Sequence, residues 1–409
     1  MNLDNNENNG LEQLKSFYNL IYNVNKNNIG ILNKTNLNVY DMYSSLKPFI
    51  SSLESSYCII NGNIKTLDDI YKLGYNNFKT YVKQNMPTKL YRYYSLKNEY
   101  GIQALKNNTV FLQTPKEFDD VFDSDSSFNY SEFLYLRLKK YCGFLGLDSH
   151  NISKEQLNSA LSERLMKFYK SNGSFKIISQ NITSYNNVDK DASLLIDFLL
   201  LSKILIDRGE TIFVASKAIK QQYFNQINRI KTTFRASCFT TTPYSKLMWC
   251  DYANCHTGFC VEYIINPSDI KYNKIYDNLF PIIYCNTRSM IPNILLDYNY
   301  LDFTSKYLWD IYYCGTLRKS IDWVWQNEWR LLFPYYNLKD YNVEFYPITK
   351  VFLGNRMSTD NKKQIIDICD NRKIEYIGIK RTPSSFDLKE CNIKCEVCPT
   401  FIDCLKNNL

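Results

Sequence analysis

Apolar residues recur at helical spacing from Leu11 to about Met86, as in Leu14, Phe17, Tyr18 and Ile21, with Asn- and Gly-containing stretches between them. This pattern predicts a helical N-terminal extension over residues 1–86, made of two to four helices behind a polar, disordered Met1–Gly10. The texture changes at Pro87. Thr88–Tyr94 reads as a strand, Glu99–Lys106 as a helix ended by Asn107-Asn108, and Val110–Gln113 as a second strand. Thr114–Asp120 reads as a loop or helix start with Pro115 set just inside it. A mostly helical pattern then runs from Ser131 to about Ile230, Leu194–Ile206 being typical, and predicts a helical insertion at about 131–230. Strands return at Ser237–Thr240 and Gly258–Ile264, around a helix at Ser245–Ala253. Further strands are expected at Ile282–Cys285, Trp329–Phe333, Lys350–Leu353 and Ile374–Ile379, with a helix at Asp360–Cys369 between the last two. Strands mixed irregularly with helices, and no repeat at a solenoid period, predict an α+β fold with a mixed or antiparallel sheet. The expected domains are the extension (1–86), a central domain (87–385) and a cysteine-rich tail (386–409).

Composition changes this picture little. A chain of 409 residues, 45% hydrophobic and 22% charged, suits a globular protein with a sizeable core. The net charge of +8 is spread along the chain and steers only weakly toward anions. No tight Lys/Arg run of the kind found in a nucleic-acid-binding tail is present. The aromatic share, 15%, goes with abundant Asn, Lys and Ile and so reflects base composition more than a stacking platform. The first residues lack an apolar signal region, and no apolar run approaches the ~18 residues of a membrane span. A cytoplasmic protein with no membrane partner is expected, its 13 cysteines mostly reduced and buried.

Candidate chemistry centres on Gln326-Asn327-Glu328-Trp329-Arg330, entering the strand Leu331-Leu332-Phe333. With Arg92 and Thr240-Thr241-Thr242 it gives an arginine, a hydroxyl cluster and a glutamate in that chain order. ADP-ribosyltransferases of the arginine–serine–glutamate class place their NAD-handling groups in the same order, and the chain resembles them in this respect. In such a site Arg92 forks onto phosphate oxygens. Thr240 and Thr242, at alternate positions of a strand end, turn both hydroxyls to one side. Glu328 accepts from the ribose 2′-hydroxyl, and Gln326 orients an acceptor. The bland alternative is a structural Arg92–Glu328 ion pair with a Thr-rich turn capping the next helix, Ser245 or Thr242 serving as N-cap. His256 is either a nicotinamide or phosphate contact or a core histidine; the other histidine is His150. Tyr252 and Trp249, at i and i+3, read as core or as cofactor contacts. Asp120 and Asp123, with Phe122 between them, read as loop aspartates beside a core residue, or with Asp119 as metal ligands of a nuclease.

Several segments together resemble the bacterial family called domain of unknown function 2971. They are Leu90-Tyr91-Arg92-Tyr93 with Leu105, Phe111, Pro115, Phe118, Asp120 and Phe122; Cys238-Phe239-Thr240; Leu247 to Gly258; Glu328-Trp329-Arg330; and Gly354-Asn355-Arg356-Met357-Ser358. The resemblance covers roughly residues 88 to 380. Asp119-Asp120-Val121-Phe122 stands where the family shows Asn-Asp-Pro-Phe, and Gln326 where it shows Glu. The family name confers no activity, so function has to come from the site.

A separate signal lies in the tail. Cys391, Cys395, Cys398 and Cys404 have the spacing C-x3-C-x2-C-x5-C, which suits tetrahedral zinc or an iron–sulfur cluster. Unpaired structural cysteines or a local disulfide are the alternatives. The expected function is therefore NAD-dependent ADP-ribosyl transfer to a protein or nucleic acid, or NAD hydrolysis, in the manner of a toxin or anti-phage defence effector. The alternatives are a non-catalytic nucleic-acid- or protein-binding module with a structural metal tail, and a metal-dependent nuclease.

Overall fold

The computed structural model describes residues 57–120, 122–124, 129–148, 153–172, 190–232, 234–288, 312–334, 340–382 and 384–391. In chain order these form β1 (Tyr57–Ile60), β2 (Asn63–Thr66), α1 (Leu67–Gln84), β3 (Lys89–Tyr94), α2 (Tyr100–Asn107) and β4 (Thr109–Phe111). Four long helices follow: α3 (Tyr130–Phe144), α4 (Lys154–Asn172), α5 (Lys190–Asp207) and α6 (Val214–Thr232). Then come β5 (Phe234–Thr240), α7 (Lys246–Asp251), β6 (Phe259–Ile264), α8 (Asn273–Tyr276), β7 (Leu279–Pro281) and β8 (Ile283–Cys285). The last stretch holds β9 (Arg318–Ser320), β10 (Glu328–Pro334), β11 (Asn342–Glu344), β12 (Ile348–Leu353), α9 (Thr359–Arg372), β13 (Glu375–Arg381) and β14 (Leu388–Cys391). The protein is a mixed α+β molecule, and no helix among the described residues is long and apolar enough to cross a membrane.

Two compact units divide the chain. One takes residues up to Ser124, Thr233–Thr287 and Leu317 onward; the other takes Asp125–Thr232 and Arg288–Thr316. The second unit, in its described part, is the helical one. There α6 packs on α3, α4 and α5, and the Tyr141 hydroxyl, fully buried, donates to Gln222 Oε1 at 2.8 Å.

The first unit is built on an eight-stranded sheet in the order β14-β13-β12-β6-β3-β5-β10-β7. Its pairings are antiparallel except β12 with β13. β10 reads Glu-Trp-Arg-Leu-Leu-Phe-Pro and is buried along its whole length, as a central strand covered on both faces must be. A smaller sheet has the order β2-β1-β8-β9. Its hairpin, Tyr57–Thr66, turns at Asn61 and Gly62, both with positive φ. These residues lie inside the stretch expected to be a helical extension. Their helical spacing came from short apolar runs, which periodicity cannot assign. At the other end, Leu388–Cys391 closes the eight-stranded sheet by pairing with β13, so the expected boundary before the tail falls too early.

Local signals explain the element ends that matter for the site. Ser245 caps α7 by accepting from the Met248 amide, and Ser358 caps α9 by accepting from that of Asn361. The 3-10 turn Ile321–Gln326 starts on Ser320 and ends at Asn327, whose φ of 45° reverses the chain into β10. Gly258 and Gly354 are required by close approach: a Cβ would stand 2.0 Å from the Tyr94 carbonyl oxygen at the first and 2.2 Å from that of His256 at the second. The backbones of 256–258 and 354–356 are zipped together, Gly354 N–H to Gly258 O and Arg356 N–H to His256 O, both at 3.0 Å.

Candidate active site

The strands bearing the candidate arginine, threonine and glutamate are consecutive in the sheet: β3, β5, β10. Glu328 lies directly across from Thr240, and Thr240 directly across from Tyr91. β5 is joined to β10 along its whole length. Its other edge is held at two points, by the Tyr91–Thr240 bridge at its last residue and by a bridge between Ala236 and Gln113 two residues in from its start. Between these bridges the edge of Ser237, Cys238 and Phe239 is open. A cavity of about 270 Å³ lies there, lined by Arg92, Ser237, Cys238, Tyr252, Lys319, Gln326 and Glu328 among others.

The cavity floor is a buried charge cluster. Arg330, fully buried, donates from Nε to Glu328 Oε1 (2.6 Å), from Nη2 to Asp123 Oδ2 (2.6 Å) and from Nη1 to Ser124 Oγ (3.0 Å). Lys319 donates from Nζ to Glu328 Oε2 (2.8 Å) and Gln326 Oε1 (2.7 Å), and stands 3.1 Å from Asp123 Oδ2. Gln326 Nε2 donates to the Tyr252 hydroxyl at 2.8 Å. Two cations thus face two carboxylates, which is what lets four charges stay buried. Burial alone pushes the Glu328 carboxyl up, but Arg330 and Lys319 outweigh it and hold Glu328 down at about 2. Lys319 is desolvated as well, yet Glu328 and Asp123 raise it above the ordinary lysine range. Burial, and then the charge of Glu328, push the Cys238 thiol up to about 12, so it is no nucleophile.

Arg92 makes none of these pairs. Strand alternation turns it to the opposite face from Glu328, where its guanidinium lies over the rings of Tyr94 (5.4 Å) and Phe239 (5.6 Å). It still lines the cavity, because the ladder is open there. Its Nη1 is buried without a hydrogen-bond partner, and so is Ser237 Oγ on the same face. The bland Arg92–Glu328 ion pair does not form. Thr240 Oγ1, across from Glu328, is also buried without a partner.

Other expected members fall elsewhere. β5 ends at Thr240, so Thr242 is not on the strand. Its Oγ1 accepts from the Tyr244 amide at 3.2 Å in a local turn, and its carbonyl accepts from the Tyr93 hydroxyl. His256 is not part of the cavity. It stacks on Trp249 with ring centroids 5.8 Å apart, and burial, then Arg356 and Arg381, lower it below the usual histidine range. Tyr252 and Trp249 do not act as a pair. Trp249 is wholly buried and donates to the Pro243 carbonyl, whereas Tyr252 follows the end of α7 and reaches Gln326. Asp123 is no ordinary loop aspartate: it is buried and ion-paired, while Phe122 is 63% exposed where a core position was expected. Asp123 is bound by two cations, Arg330 and Lys319, and among the described residues no group of three or more His, Cys, Asp or Glu is placed to hold a metal. Cys391 is buried at the end of β14; Cys395, Cys398, Cys404 and His150 lie outside the described residues.

The residue that the sequence did not disclose is Lys319. It sits on β9, three residues long, and the one mark that Leu-Arg-Lys-Ser carries is the lysine's place before the Ser320 cap and the Trp-rich turn. No known protein family, curated protein or solved structure matches this chain.

Proposed function

We propose that the chain cleaves the bond between nicotinamide and ribose in NAD, passing ADP-ribose to an acceptor macromolecule or to water. On this reading the eight-stranded sheet is ADP-ribosyltransferase-like and belongs to the family that the signature segments resemble. The observation that carries it is the adjacency of β3, β5 and β10, three segments far apart in sequence whose Arg92 and Glu328 line one cavity.

Each group has a state that suits the reaction. Arg92 is a cation without a carboxylate partner, seated among aromatic rings, and its planar fork matches a pyrophosphate. Glu328 is ionised at every ordinary pH, so it gives no proton; it accepts from a ribose hydroxyl and stabilises the positive charge that develops on the ribose as the bond breaks. Thr240, directly across from Glu328 in the ladder and just behind the cavity lining, has its Oγ1 donor and acceptor capacity unspent. Gln326, fixed by Lys319 and Tyr252, orients the acceptor. In the step, the C–N bond breaks and nicotinamide leaves with the electron pair. The acceptor's lone pair forms the new bond to the ribose carbon, and its proton goes to solvent. A cavity of about 270 Å³ is small for a cofactor site and takes the nicotinamide–ribose end, leaving the adenylate outside.

The test is incubation of the purified chain with NAD labelled in the nicotinamide, with release followed by chromatography. Release by the wild type, lost in Arg92→Ala, is expected. A folded wild type that releases no nicotinamide in the presence of protein and nucleic-acid acceptors overturns the reading; NAD binding without release leaves a binding module. The cysteine tail is proposed to hold a structural zinc or iron–sulfur centre, with no part in this chemistry.

A further inference from the structure

The turn after α7 places two cysteines against each other. Asn254, Cys255 and His256 follow one another with φ of 47°, 53° and 67°, a left-handed run that costs roughly 1–2 kcal/mol per non-glycine residue. Tertiary contacts hold it. The Cys255 amide donates to the Cys250 carbonyl at 2.8 Å and the His256 amide to that of Trp249 at 2.9 Å. The Gly258 amide reaches the Ala253 carbonyl at 2.8 Å, and Arg356 binds the His256 carbonyl from the neighbouring segment. A six-residue turn closed by its end-to-end hydrogen bond brings the first and last side chains together, as at helix C-termini generally. Here those side chains are both thiols. A hydrogen bond with the Cys255 thiol, and then burial, hold the Cys250 thiol above its usual range.

Exposure separates this pair from the other described cysteines. Cys250 and Cys255 are exposed, whereas Cys238 is half-buried and Cys58, Cys142, Cys260, Cys285, Cys369 and Cys391 are buried. Buried thiols are inert; exposed and paired ones exchange with external disulfides.

We propose that Cys250 and Cys255 form a redox pair that closes to a disulfide on meeting a small oxidised disulfide such as oxidised glutathione. One cysteine loses its proton and its sulfur attacks a sulfur of the oxidant, whose S–S bond breaks to release one thiol. The second cysteine, deprotonated in turn, displaces the other half as a second thiol. The protein loses two electrons and two protons, and the oxidant becomes two thiols. The closed loop contains Tyr252, the residue that steadies Gln326, so oxidation fixes the segment at the cavity mouth.

The experiment uses the full chain, reduced, then equilibrated with oxidised and reduced glutathione, quenched with acid, alkylated after unfolding, and mapped by fragment-ion mass spectrometry. Cys250 and Cys255 are expected to escape alkylation together, joined with the loss of two hydrogens. Cys260, close by in sequence but buried in β6, is expected to be alkylated and serves as the internal control. Cys255→Ser is expected to leave a persistent glutathione adduct on Cys250, because the resolving thiol is gone. Both positions are exposed, and circular dichroism identical to wild type checks that the variant folds. Separate glutathione adducts accumulating on both cysteines of the wild type, links to other cysteines, or no oxidation at either position would each overturn the proposal.

Discussion

At the scale of single residues, the charge cluster under the cavity governs both stability and the design of a test. Glu328→Gln is the obvious catalytic variant, but it strips the shared counter-ion from Arg330 and Lys319. Removing one partner of a buried ion pair costs roughly 3–5 kcal/mol. Lys319→Met is expected to show that loss directly as a lower urea midpoint, since it leaves Glu328 and Asp123 to share Arg330 alone; a midpoint within error of wild type would mean the cluster is not formed. Thr240→Val separates chemistry from folding. Its hydroxyl has no partner, so an isosteric apolar group is near neutral for stability. NAD cleavage is expected to fall nevertheless, as measured by nicotinamide release at unchanged urea midpoint.

The same cluster sets a pH window. Glu328 is held at about 2 against an ordinary 4.5, so its contribution is complete above 4.5 and is lost as pH falls from there through 2. Lys319 is raised above 10.5, so its contribution is complete below that value and is lost as pH rises through the higher folded value. Urea midpoints across pH are expected to hold a plateau between these limits and to fall on both sides. Lys319→Met should blunt the alkaline fall.

At the scale of elements, the segments that look like signatures turn out to have two different duties. Glu328-Trp329-Arg330 builds the cluster. His256-Thr257-Gly258 and Gly354-Asn355-Arg356 instead zip two loops together across main-chain hydrogen bonds. Gly258 is where that junction meets β3, and a methyl group there would overlap the Tyr94 carbonyl. Gly258→Ala is therefore expected to destabilise by about 1–3 kcal/mol, the usual cost of overpacking, read from chemical denaturation. Strand ends and helix caps were legible in advance: β3, β5, β6, β10, β12, β13 and α9 fall within a few residues of their expected places, and Ser245 caps α7. Short strands were legible only in part: β4 and β8, three residues each, fall near their expected places, but others do not. β9 and β14 are three and four residues long, too short for a period to register, and they exist because a neighbouring strand supplies their hydrogen bonds.

At the scale of the whole molecule, every residue of the cavity belongs to the sheet-bearing unit. Separate compact units favour unfolding in more than one step. Calorimetry is expected to resolve two transitions, with NAD raising only the one that belongs to the sheet unit; a ligand at a hundredfold its Kd stabilises by about 2.7 kcal/mol. A single transition, or a shift of both, would argue against assigning the ligand to that unit.

What the sequence determined by itself was the alternation of apolar and polar residues, the capping residues, and the order arginine, hydroxyl, glutamate. These are local or linear properties, carried by neighbours along the chain. Which face each side chain occupies was decided only by tertiary structure, because strand register assigns faces and register depends on partners distant in sequence. That is why Arg92 and Glu328 share a cavity through a break in the ladder yet lie on opposite faces. It is also why Thr242 drops out of the site and Lys319 enters it. A buried charge is tolerable only beside its counter-ions, and Asp123, Lys319, Glu328 and Arg330 become neighbours only when two sheets and a loop are assembled around them.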